Sequence, residues 1–288
     1  MSGEPDWVAL LTEDPSSFRA KVEAAGADPR RILRASDLAG LDLRAADLSG
    51  FDLSGASLAG SKADGYSLVS ARLEGVDLAD TEVGEGWRAA LDQLAMLWRD
   101  PEEWNAFRRG NRPAVLEGVD LSAAQLGGAD LSDVVLASAR LDEADLRGCV
   151  LDATSFLRAS LRGARLDGAT LVHVNLEEAA LEGARFDGAV LRRARLRSAT
   201  AGGASFAAAM VTGGEWNDLD APAALFDGAS LDGTLLYRAR LAGSSFREAK
   251  LTEVALVEAD LSHCDFAGAA LIDCDLEGVR LEHTSLPA

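Results

Sequence analysis

The sequence predicts an all-β solenoid, on three observations. From Leu116 to Leu286 every fifth residue is a centre of large apolar type: of 35 centres, 31 are Leu or Phe, and the others are Ala201, Val211, Trp216 and Ala221. An earlier block from Leu33 to Val83 holds 11 centres, nine of them Leu, with Ala63 and Val83 as the exceptions. The residue two before each centre is restricted in the later block (Ala in 21 of the 35 repeats, most others Val, Thr, Ser or Cys), and Gly is frequent two after, as at Gly128, Gly148, Gly163, Gly168, Gly183 and Gly188.

A period of five fits neither common element. At 100° per residue an α-helix would let successive Leu drift by about 140° and form no face. On a continuous strand an odd spacing sends successive Leu to opposite sides. A turn in every repeat brings each Leu to a common axis, and coils of that kind bury a core only by stacking. A narrow interior explains the small residue before each centre, and a turn with positive φ explains the Gly after it.

The elements follow in chain order. Residues 1–31 lack the period. Trp7, Leu10 and Leu11, then Phe18 and Val22, predict two short helices, with Asp14-Pro15 as cap and first turn. Residues 32–83 are the first repeat block. In residues 84–113, Trp87, Leu91, Leu94 and Trp98 share one face of an amphipathic helix. Asp100-Pro101-Glu102-Glu103 then reads as an N-cap with Pro in the first turn, and Trp104 and Phe107 follow on one face. Both helical segments read as caps over the open ends of coil stacks, because an uncovered edge invites pairing with other chains. A partner groove formed by the four tryptophans up to Trp104 is the alternative. Residues 114–288 are the second block. Within it, 207–225 keep the count but lose the chemistry, with Met210, Gly213, Gly214, Trp216 and Pro222. That stretch is either a distorted coil or a bulged loop carrying an exposed Trp216.

The repeat, as in Ala129-Asp130-Leu131, resembles the A(D/N)Lxx pattern of the pentapeptide-repeat family. The resemblance covers about four-fifths of the chain. It implies a right-handed quadrilateral β-helix with four repeats per coil. At ~4.8 Å per coil the second block would stand about 42 Å tall. A 20-residue coil would stack Arg158 on Glu178, Arg238 on Glu258, His263 on His283 and, as like charges, Glu253 on Asp273.

The formal net charge of −19 argues against contact with phosphate backbones and anionic membranes. No apolar run approaches the roughly 20 residues of a membrane span. Met1-Ser2-Gly3-Glu4-Pro5-Asp6 is unlike a signal peptide, so the expected location is cytoplasmic. Cys149, Cys264 and Cys274 take the small position and are expected to be buried and inert. His263 and His283 come without the further ligands of a zinc site. No phosphate loop, Cys-His pair or nucleophile elbow is present. No enzyme, cofactor or metal is expected.

What remains is surface. Arg185, Arg192, Arg193, Arg195 and Arg197 form a local basic zone. The C-terminal end is acidic, and Glu253, Asp260, Asp265, Asp273, Asp275 and Glu277, with Trp216, are the candidate partner-binding residues. The best-known members of the resembled family are quinolone-resistance proteins that imitate B-form DNA in width and charge and engage DNA gyrase in its place. By that resemblance the expected partner is DNA gyrase or topoisomerase IV, with a scaffold for another protein as the alternative. Arginines in the acidic surface, the helical insertion and the lack of a C-terminal helix set this chain apart. A homodimer through the C-terminal end, tightened by salt, is a further expectation.

Overall fold

Every ladder in the computed structural model joins residues 20 apart in parallel, so one coil consists of four five-residue sides. The chain is a right-handed quadrilateral β-helix with short helices: the solenoid that the period predicts, in the form that the resemblance implies. The structure describes residues 5–84, 86–109 and 115–286. The readings placed on Met1–Glu4, on 110–113 and on Pro287 lie outside them. Two units are described in turn: Met1–Trp104 with Gly118–Asp120, and Asn105–Glu117 with Leu121–Ala288.

In the first unit, α1 (Trp7–Glu13) starts at Asp6, whose carboxylate accepts the Ala9 N–H. Asp14 accepts from Ser17 at the 3-10 turn Pro15–Ser17, which runs into α2 (Phe18–Ala24). Phe18 is buried 5.6 Å from the Phe51 ring, and Arg19 donates to the carbonyls of Asp47 and Ser49. The repeats hold one short pair, β1 (Asp42–Leu43) and β2 (Lys62–Ala63). A helix the period did not announce then interrupts a coil. It is α3 (Gly65–Val69), capped by the Asp64 carboxylate. Leu68 keeps its place in the count and in the core, which is why the pattern hid the helix. Gly65 is required there, since a Cβ would stand 2.2 Å from the Trp87 ring. In α4 (Trp87–Arg99), Leu91, Leu94 and Leu97 are buried. Arg88 of that helix donates to the carbonyls of Leu78 and Thr81.

From Asn105 onward, α5 (Pro101–Arg108) belongs to the second unit. The Asn105 amide donates to the Gly128 carbonyl and accepts the Asp130 N–H at 2.6 Å. One coil later the equivalent donor, Val150 N–H, goes to Ala129. The side chain thus supplies what a preceding coil would supply.

Six strands stack in chain order on one side: β3 (Thr170–Val172), β4 (Val190–Arg192), β5 (Met210–Thr212), β6 (Ser230–Asp232), β7 (Lys250–Thr252) and β8 (Ala270–Ile272). The stretch read as a possible loop contains β5 and keeps the full ladder. At the corners, residues two after a centre have positive φ whatever their type: Gly213 +63°, Arg193 +51°, Glu253 +53°. That conformation costs a non-glycine roughly 1–2 kcal/mol, so the ladders on either side impose it.

Within the core, Phe186, Phe206, Phe226, Phe246 and Phe266 stack ring on ring at 4.7 to 5.1 Å. At several small positions that are polar the side chain bonds a carbonyl of the preceding coil, as Thr154 does to Leu131 at 2.7 Å and Ser244 to Ala221 at 3.1 Å. The four exceptional centres form one compensated set. Trp216 lies on the side opposite the Phe column, yet its ring is 5.2 Å from Phe206 and 6.5 Å from Phe226. The indole therefore crosses the interior, and the centres on the two remaining sides are small: Val211, Ala201 and Ala221. Gly214 is bare for the same reason, since a Cβ there would come 2.7 Å from the indole nitrogen.

This packing fixes the phase of the repeat and is open to test. Ala184 is fully buried, whereas Ala208 is exposed at a corner. Ala184→Leu is expected to cost about 1–3 kcal/mol by overpacking. Ala208→Leu is expected to cost well under that in the same thermal melt. Equal shifts would contradict the phase.

Candidate functional site

Each side of a coil in the second unit turns two residues inward, the centre and the small residue two before it, so the residues immediately flanking the centre face outward. The first side carries β3 to β8. The second has centres Leu196, Trp216, Leu236 and Leu256, the third Leu181, Ala201, Ala221 and Leu241, and the fourth the Phe column. This geometry assigns every charged residue a side, a corner and two stacking neighbours.

The acidic candidates do not form one patch. Asp260 is on the third side, in register between Arg240 and Arg280. Hydrogen bonds from Ser262, together with Arg280, hold its carboxyl below the usual range. Asp265 is on the fourth side, 2.6 Å from Arg247. The Ala267 N–H and that guanidinium lower its pKa as well. Glu253 and Asp273 stack on the corner between the first and second sides, while Asp275 and Glu277 are next to Asp273 on the second. These four are exposed, and among the described residues no ion pair neutralises them.

Trp216, expected as a partner-binding residue, is instead fully buried, its indole nitrogen without a hydrogen-bond partner among the described residues, and it offers nothing to a partner. The pairing of Arg158 with Glu178 is formed at 2.7 Å. Arg238 turns the other way, to Asp218 at 2.8 Å and not to Glu258. Asp218 with Arg238 and Asp220 with Arg240 line a shallow cavity of about 330 Å³ whose charges are already matched.

The reactive side chains are quiet. Burial pushes the Cys149 thiol up to about 12 and Cys264 up to about 11, so neither supplies a thiolate near neutrality. Cys274, expected to be buried, is partly exposed because no coil stacks beyond it among the described residues. His263 and His283 stack at 5.1 Å, and no three metal-ligating groups converge among the described residues. No helix there is long and apolar enough to cross a membrane.

One arrangement escaped the sequence reading. Arg193, Arg195 and Arg197 lie on the same corner and side as Asp273, Asp275 and Glu277, four coils away. The signal was present as an 80-residue offset between the two triplets, which counts only once the coil is known to be 20 residues.

The family model of pentapeptide repeats matches residues 36–75, 114–152, 139–177, 175–209, 223–256 and 249–286. No curated protein matches the chain. Among solved structures it is similar to HetL, involved in heterocyst differentiation regulation in the cyanobacterium Nostoc sp. strain PCC 7120. That similarity is 26% identity over 94% of this chain and 96% of the other, with a TM-score of 0.34. It is also similar to QnrB1, a plasmid-mediated fluoroquinolone resistance protein, at 21% identity over 60% and 90%, with a TM-score of 0.37. A pentapeptide repeat protein from the Arabidopsis thaliana thylakoid lumen is 26% identical over 36% and 59%, with a TM-score of 0.27.

Proposed function

The chain belongs to the pentapeptide-repeat family, and from that premise we propose that it is a non-catalytic binding protein of the cytoplasm that occupies a DNA-binding surface of a type II topoisomerase. The observation that carries this reading is the formal net charge of −19 on a stack whose side chains repeat at the ~4.8 Å coil spacing. Regularly spaced negative charge is what a DNA-binding surface recognises in a phosphate backbone. Glu253, Asp273, Asp275 and Glu277 are the proposed contacts, with DNA gyrase or topoisomerase IV as the enzyme. The purified protein is expected to inhibit gyrase supercoiling or to reduce quinolone-stabilised cleavage, more strongly at low salt. No effect in either assay, with or without a quinolone, would sink the reading.

A second reading rests on the compensated carboxylates. Asp218, Asp220 and Asp265 each face an arginine, which makes the surface mixed in sign, unlike a nucleic acid. A scaffold for another protein fits that mixture. Affinity capture from the native host, at low and moderate salt, separates the two: retention of a non-topoisomerase protein with no topoisomerase would favour the scaffold.

A further inference from the structure

From His173 onward, the second side of the coil stack, with its corner to the first, reads as six rows, one per coil. They run His173, Asn175, Glu177; Arg193, Arg195, Arg197; Gly213, Glu215, Asn217; Gly233, Leu235, Tyr237; Glu253, Ala255, Val257; Asp273, Asp275, Glu277. The second row is entirely basic and exposed, and the sixth entirely acidic and exposed. Arg195 has a partner, Glu177 at 3.3 Å, but Arg193 and Arg197 make no ion pair among the described residues. Midway between the charged rows stands the fourth, which is uncharged and carries Leu235 and Tyr237, both half-buried. Glycine occupies the corner in rows three and four.

A symmetric dimer needs a patch that is complementary to itself. A two-fold axis through row four, perpendicular to the coil axis, exchanges row two with row six and row three with row five. It sets Arg193 against Asp273, Arg195 against Asp275 and Arg197 against Glu277, and then the same three pairs in reverse. Leu235 and Tyr237 meet their own copies on the axis. Glu253 falls opposite Gly213, and Glu215 opposite Ala255, so neither meets a like charge. We infer that this side is an antiparallel, side-by-side interface between two copies of the chain.

Its strength is set by its size. Rows two to six, five coils at ~4.8 Å with one side at ~3.3 Å per residue, overlap and give about 300–400 Å² per copy. Stable interfaces bury about 800 Å² per partner. The dimer is therefore weak, with a Kd of roughly tens to hundreds of micromolar, and dissolves as salt screens the six ion pairs. An end-to-end dimer of acidic coil ends has the opposite salt dependence. Self-pairing also covers Asp273, Asp275 and Glu277, so it competes with any basic partner for them.

Sedimentation velocity on the full chain from about 10 to 300 μM tests this, spanning the expected Kd. The chain is expected to dimerise at 50 mM salt and to be monomeric at 500 mM. Arg193→Glu with Arg197→Glu makes one variant, and Asp273→Arg with Glu277→Arg makes the other. Each is expected to stay monomeric alone, and the two mixed in equal amounts to pair. Circular dichroism confirms that both variants fold. A wild-type chain that stays monomeric at 50 mM salt would overturn the inference. So would a dimer that tightens with salt, or a mixture that fails to associate.

Discussion

Phe226→Ala is expected to lower the stability of the chain by about 3–5 kcal/mol, read as a fall in the urea midpoint of the second unit's transition. Phe226 is the middle ring of five, 5.1 Å from Phe206 and 4.7 Å from Phe246, and fully buried. The ladders above and below hold the coils at fixed spacing, so the site cannot close over the missing ring. The cavity cost therefore adds to the lost transfer energy. A loss below about 1 kcal/mol would mean that the coils collapse into the gap, against the constraint of the ladder.

The next largest effect is expected around Trp216, where the compensation can be taken apart and rebuilt. Ala221→Leu alone is expected to cost about 1–3 kcal/mol, because the crossing indole fills that coil. Trp216→Leu alone opens a cavity beside Phe206 and Phe226 and is expected to cost about 2–4 kcal/mol. The double variant restores the ordinary repeat on two sides and should be less destabilised than the sum of the singles by at least about 1 kcal/mol. Additive losses would show that the tryptophan and the small centres are unrelated.

That set of residues also marks where the sequence was legible. The five-residue period located the core and the corners because each is a local consequence of one turn per repeat, while the four repeats per coil came from the family resemblance. It left 207–225 open between a distorted coil and a loop exposing Trp216, and the structure has a full ladder with Trp216 buried. The neighbours that make room for it are 5 and 15 residues away on other sides of the coil. Gly214 was the nearest visible clue. Helix α3 was missed for a related reason: Leu68 holds its place in the count while the backbone around it becomes helical. On the surface, the period gives each charge its column but not its choice between the neighbour 20 before and the neighbour 20 after. Arg238 thus went to Asp218. The acidic end was read as one patch because its residues are close in sequence, yet five residues along the chain is a quarter turn around the coil.

The 20-residue offset of every ladder has a kinetic consequence. An interaction between neighbouring coils closes a loop of about 0.07 of the chain length, a relative contact order typical of helical bundles and well below that of β-sandwiches. Few long loops have to close before the first coils meet, so loop-closure entropy adds little to the barrier. Once two coils have formed, each further coil docks on a finished template. The refolding rate should accordingly be fast for an all-β protein, and the slow event should be the first pair of coils, wherever along the stack it forms.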